Sequence, residues 1–207
     1  MLQRLLFPLF LLLSLPAAAD EAASSRLNAL LTRVSSMQAD FSQSTTDSRG
    51  QALQAQNGRM SVQRPGLFRW EVEKPAKQLI ISNGSTIWIY DPELLQATKQ
   101  KLDAQVGNTP ALLLSGDPRK LAEAFAISEE KGSGGEQVFL LKPLAKDALF
   151  DQLRVRFKGN ELTRMQLADS LGQKTDIRFT RISLNPKLPA SLFEFTPPKG
   201  VDVIDEF

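Results

Sequence analysis

Cysteine and histidine are both missing from this chain. Without cysteine there can be no disulfide, no lipid carried on sulfur and no thiol nucleophile. Without histidine, Ser-His-Asp and Cys-His catalysis are excluded, as are the commonest zinc sites. Tryptophan occurs twice and tyrosine once. Charge of one sign is scarce too: outside the first 19 residues, 24 basic residues face 23 acidic ones, with no basic run. That balance leaves no phosphate track for nucleic acid and no basic membrane-surface helix. Phosphate-binding signatures are absent as well. The stretch Lys131–Glu136, KGSGGE, has the wrong glycine spacing for a nucleotide loop and reads as a hairpin tip. The adjacent acids Glu129-Glu130 and Asp205-Glu206 read as solvated pairs, and Asn83-Gly84-Ser85, although a glycosylation sequon, reads as a turn. No catalytic, cofactor or metal residue emerges.

The one long apolar run is at the start. Arg4 precedes Leu5–Leu15, which is 11 residues long and contains Pro8, and Ala17-Ala18-Ala19 follows. A positive end, a short greasy centre and small residues spell a cleaved secretory signal, whereas a spanning helix needs about 20 residues. A single arginine does not suit the twin-arginine route. Cleavage after Ala19 leaves one domain, residues 20–207, of 188 residues. That is long enough to bury a core without staples.

The remainder is mostly strand. From Ser25 to Gln43 the residues Leu27, Leu30, Leu31, Val34, Met37 and Phe41 share an arc of about 120°, which predicts a helix capped at Ser24 or Ser25. The following TTDSRGQALQAQNG reads as a polar connection. Alternation then predicts strands at Met60–Val62, Phe68–Val72, Leu79–Ser82, Thr86–Tyr90, Gln96–Leu102, Phe125–Ser128, Val138–Leu141, Leu153–Phe157, Met165–Leu167, Ile177–Phe179 and Phe193–Phe195. Helix starts at Thr109-Pro110 and Asp117-Pro118 interrupt them, and Leu112–Leu114 forms an apolar turn. The fold class is mainly β with covering helices (α+β): a single curled antiparallel sheet whose concave face the helices cover. Phe68, Trp70, Trp88 and Tyr90 are then either core between sheet and helix or the lining of a cavity for an apolar guest.

Five stretches in order, SSMQADFSQ (35–43), QRPGLFRW (63–70), NGSTIWIYDPELLQAT (83–98), GNTPALLL (107–114) and FEFTPPKGVDV (193–203), resemble the family of outer-membrane lipoprotein carriers, the LolA family. The resemblance spans nearly all of residues 20–207. It implies an incomplete β-barrel closed by a helical lid, in a soluble periplasmic monomer that shields the acyl chains of lipoproteins. It implies that Arg64, of the Arg-Pro element, latches the lid around Thr109–Ser115, with Pro110, Leu112, Leu113 and Leu114 in that lid. Phe68 would sit at the cavity mouth, and Leu31, Val34, Met37, Met60, Trp70, Val72, Trp88 and Tyr90 would line the cavity. Met37 and Arg69 depart from the family pattern, where an aromatic and a neutral polar residue are usual. The partners implied are acylated lipoproteins, an inner-membrane ABC exporter and an outer-membrane receptor.

Three other readings compete. A small outer-membrane β-barrel needs longer strands and aromatic girdles, against 7% aromatics here. A secreted lipid-processing enzyme would have to work without histidine. The receptor of similar fold is itself a lipoprotein and needs a cysteine, which this chain lacks.

Overall fold

The computed structural model describes residues 21–102, 114–146 and 148–206. Helix α1, Glu21–Thr32, is followed by strands β1 (Ser36–Thr46), β2 (Ala52–Gln63), β3 (Leu67–Lys74), β4 (Gln78–Asn83), β5 (Thr86–Asp91) and β6 (Gln96–Lys101). A 3-10 turn, Pro118–Lys120, and helix α2, Leu121–Ala124, precede β7 (Phe125–Glu130), β8 (Glu136–Pro143), β9 (Gln152–Lys158), β10 (Glu161–Ala168) and β11 (Lys174–Leu184). A 3-10 turn, Ala190–Phe193, and β12, Asp202–Asp205, end the described chain. All twelve of these strands join one sheet in the order β12-β6-β5-β4-β3-β2-β1-β11-β10-β9-β8-β7. Pairing is antiparallel except between β12 and β6. The order has two ends, so the curled sheet stays open. This is the curled sheet with covering helices expected from the pattern, and the incomplete barrel that the resemblance implies.

Three expectations need correction. The first helix stops at Thr32, and Met37 to Phe41 lie on β1. Met37 and Phe41 satisfy both periods at once, since residues four apart share a face in a helix and in a strand. The pairing of β1 with β2 and β11 on either side decides for strand, and the Ser/Thr-rich SQSTT has little helix preference to oppose it. Ser24 and Ser25 fall inside α1 rather than at its cap. Second, the polar stretch TTDSRGQALQAQNG is a turn only over Asp47–Gln51, where the Asp47 carboxylate accepts the amides of Arg49 and Gln51. Its remainder belongs to β1, at Thr45 and Thr46, and to β2 from Ala52 on. With β1 and β11 at 11 residues and β2 at 12, some strands are as long as those of a membrane barrel. Third, Phe193 ends a 3-10 turn and Phe195 lies beyond it, whereas Asp202–Asp205 forms a strand the pattern did not announce.

One core occupies the concave side. Leu27, Leu30 and Leu31 of α1 face Met37, Phe41, Met60, Phe68, Trp70, Phe139, Leu153, Phe157, Met165 and Ile177 from the sheet. Phe41 stacks on Trp70 with ring centroids 3.6 Å apart and planes 20° from parallel. Gly58 makes room for this pair: a Cβ there would stand 2.9 Å from the Phe41 ring and 1.9 Å from the Glu71 carbonyl oxygen. The outer face is polar, with cross-strand Arg154–Glu130 and Arg164–Asp176 ion pairs.

Candidate functional site

Helix α1 lies across the concave face. At one side its Arg26 Nε donates to Glu129 Oε2 of β7 at 2.7 Å. At its other end the chain turns through Arg33–Ser35 into β1. The last turn of α1 has no basic residue of its own, and Arg64, from the end of β2, supplies the cation. Its Nη1 donates to the carbonyl oxygens of Leu31, at 3.0 Å, and of Val34. A guanidinium at the carbonyl end of a helix meets both the free acceptors and the negative end of the helix dipole. The Arg64 amide also donates to Ser35 O at 2.9 Å.

This cation is held under tension. Burial pulls the Arg64 guanidinium well below the ordinary arginine range, to a pKa of about 10. That shift corresponds to about 3 kcal/mol against the charged form. Two carbonyl bonds to a charged donor, at about 1.5–3 kcal/mol each, offset it. Nε is buried with no partner among the described residues, which adds a further penalty.

The turn after Arg64 fastens a second point. Gly66, at φ +76°, donates its amide to Ser115 O at 2.8 Å, and its Cα side abuts Gly84, where a Cβ would come within 2.8 Å. Ser82, fully buried, donates to Gly66 O at 2.8 Å and accepts from the Gly84 amide at 3.2 Å. Leu114, beside Ser115, is buried in the core cluster. Among the described residues, then, Arg64 grips the end of α1 rather than Leu114 or Ser115, and the glycine beside it holds Ser115. Pro110, Leu112 and Leu113 lie outside the described residues.

Two apolar cavities of about 20 Å³ each remain beneath α1. One touches Leu30, Val34, Met37, Arg64 and Leu184; the other touches Leu27, Leu121, Leu141, Leu153 and Val155. Leu31, Leu114, Phe157 and Leu162 border both. Such volumes hold about one water each, against about 300–1,000 Å³ for a ligand pocket.

The predicted lining divides into three groups. Leu31, Val34 and Met37 border the cavities, as do the predicted latch Arg64 and the predicted lid residue Leu114. Met60, Phe68, Trp70 and Val72 are buried in the same cluster without touching them, and Phe68 is 0% exposed rather than at an open mouth. Trp88 and Tyr90 are on the wrong face for a cavity. Ile87 belongs to the core cluster and Ile89 packs on it, so the alternating Trp88 and Tyr90 point outward. There both meet Phe195, with centroids 5.5 and 5.3 Å away, and the Ala190–Phe193 turn covers β3 and β4 beside them. Trp88→Ala is accordingly expected to lower the melting temperature while leaving apolar-probe uptake within about twofold of wild type, as thermal denaturation and fluorescence titration would measure. Sequence reasoning missed Phe157, Leu162, Leu153, Val155 and Leu141 as lining. Alternation with arginines identified the strand of Leu153, Val155 and Phe157 but not which of several oily faces would meet α1.

A family model described as outer membrane lipoprotein carrier protein LolA matches residues 32–196. An outer-membrane lipoprotein carrier protein of Azotobacter vinelandii is 48% identical over 191 residues, covering 92% of each chain. One of Pseudomonas aeruginosa strain PAO1 is 49% identical, covering 93% of this chain and 92% of its own. One of Pseudomonas fluorescens strain Pf-5 is 46% identical over 206 residues, covering all of this chain and 99% of its own. Among solved structures, a LolA superfamily protein from Nitrosomonas europaea aligns with a TM-score of 0.51 at 12% identity, over 87% of this chain and 99% of that one. An uncharacterized conserved protein from Thermus thermophilus aligns at 0.54 and 13%, over 90% and 98%. At such low identity these structures speak for the fold alone.

Proposed function

The chain belongs to the LolA family of outer-membrane lipoprotein carriers, and from that membership we infer how its closed, oily interior is used. The protein is a periplasmic lipoprotein carrier and not an enzyme. Each buried methylene is worth about 0.8 kcal/mol, so a 16-carbon chain resists exposure to water by about 12 kcal/mol. Lipoprotein acyl chains therefore need cover to cross an aqueous compartment. In our reading that cover is the space between α1 and the β8–β10 side of the sheet, opened when α1 and the Leu114–Ala124 segment lift from the concave face. Arg64 is the catch that keeps the empty carrier shut. Opening costs the carbonyl bonds of Arg64, which weakens net affinity enough for delivery, because apparent affinity falls with the fraction of protein in the open state.

Residues 1–19 are removed on export in this reading, and residues 20–207 form the carrier domain. Loading would come from an inner-membrane ABC exporter and unloading would go to an outer-membrane receptor. The supporting observation is the largely apolar seam under α1, closed by one buried guanidinium on two backbone carbonyls. Mass spectrometry of protein released gently from the periplasm of its host tests the proposal. An acylated peptide should travel with it, and protein that always emerges free of acyl chains would refute the reading.

A further inference from the structure

Asn185, just beyond β11, makes a cluster of bonds that the closing mechanism above does not use. Its Oδ1 accepts the Ser35 amide at 2.8 Å, the Ser35 hydroxyl at 3.0 Å and the Ser36 amide at 3.4 Å. Its Nδ2 donates to Arg33 O at 3.1 Å, and its own amide donates to Ser36 O at 2.8 Å. A single residue thus holds every position from Arg33 to Ser36 except Val34. Val34 is the residue whose carbonyl Arg64 takes, and Leu31, the other acceptor, bonds the Val34 amide at 3.2 Å.

Asn185 sits at φ +56°, a left-handed conformation that asparagine tolerates better than most residues and glycine freely. The side chain is exposed and touches neither cavity. It neither binds cargo nor fills the core; it shapes the loop at which α1 joins the sheet. We infer that Asn185 is a positioning residue for the Arg64 catch. By gripping the peptide groups on either side of Val34, it turns the Leu31 and Val34 carbonyls toward the same Nη1. Without it the loop could still connect α1 to β1, but the two acceptors would no longer converge. The inference rests on the reading of Arg64 as a catch, and assigns the rigid half of that catch to a residue about 150 positions away from its loop.

The test is amide exchange in full-length mature protein carrying Asn185→Gly, Arg64→Leu, or both. Glycine suits the backbone at 185, so the variant loses the side chain without strain. Exchange of the α1 amides from Leu27 to Thr32, none of which Asn185 touches, should rise about 5- to 50-fold in either single variant. The double variant should exceed Arg64→Leu by less than about twofold, because one variant acts through the other. Asn185→Asp, which retains the acceptor for the Ser35 and Ser36 amides but loses the donor to Arg33 O, should restore part of the protection. Exchange that rises only at Ser35 and Ser36, or effects that multiply in the double variant, would overturn the inference and leave Asn185 a local brace. Uptake of a fluorescent 16-carbon fatty acid, measured alongside, reports on the carrier reading instead. A protein that never takes up the probe counts against that reading whatever the exchange shows.

Discussion

Arg64→Leu is expected to bind a 16-carbon fatty-acid probe about 10- to 100-fold more tightly than wild type and to surrender it correspondingly slowly. The variant leaves Val34 O without its cationic donor and removes the two bonds that make the empty state shut. Nothing in the cavity is lost, because leucine is as apolar as its neighbours Leu31, Leu114 and Leu162. The closed state is thus weakened and the filled state is not. Fluorescence titration and a transfer assay to empty vesicles would measure both halves. An Arg64→Leu protein that binds no better and releases at the wild-type rate would end the idea of a catch.

The same residue predicts a pH response with a definite sign. Burial lowers its folded pKa from the ordinary guanidinium range to about 10. Above that value a chain with Arg64 exposed binds the proton more strongly than the closed one, so the burial penalty is complete below about pH 10 and fades above it. As pH rises through about 10, that penalty is relieved in the closed state first, so proton linkage shifts the balance toward closing. Probe affinity of the wild type should fall there, and that of Arg64→Leu should stay flat.

Trp70→Ala should produce the second large effect, on stability. Trp70 is almost wholly buried, with Phe41 on one side and the Phe68 ring 6.2 Å away. Replacing a core tryptophan by alanine costs about 3–5 kcal/mol. For a domain of this size that is a fall of about 6–20 °C in melting temperature. Calorimetry would decide. A loss of only a degree or two would mean that the aromatic wall is already slack in the closed state, and that the space for acyl chains begins at Trp70 rather than under α1.

The aromatic stretch Phe68–Trp70–Val72 was legible because one strand with one oily face leaves no choice of side. Thr86–Tyr90 was not, because Ile87 and Ile89 on one face and Trp88 and Tyr90 on the other are both apolar. Larger aromatics suggested the wrong face as the inner one. The deciding element, the segment around Phe195, comes from more than a hundred residues downstream and covers the outer pair. The N-terminal helix illustrates a different limit. Met37 and Phe41 carry both periods, and only the neighbours β2 and β11 separate them.

Local chemistry, then, settled a good deal unaided. It excluded histidine- and cysteine-dependent catalysis, set strands as the dominant element, located most turns, and carried the family motifs with Arg64 beside its proline. Those are properties of residue type and short spacing, which act within a few peptide units. Which carbonyls Arg64 would hold, which leucines would border the seam beneath α1, and that Asn185 would reach back to Arg33–Ser36 were decided by the fold alone. Each is a meeting of groups between about 30 and 150 residues apart. No local preference encodes such a meeting, because it exists only once the sheet has curled and brought its distant strands under one helix.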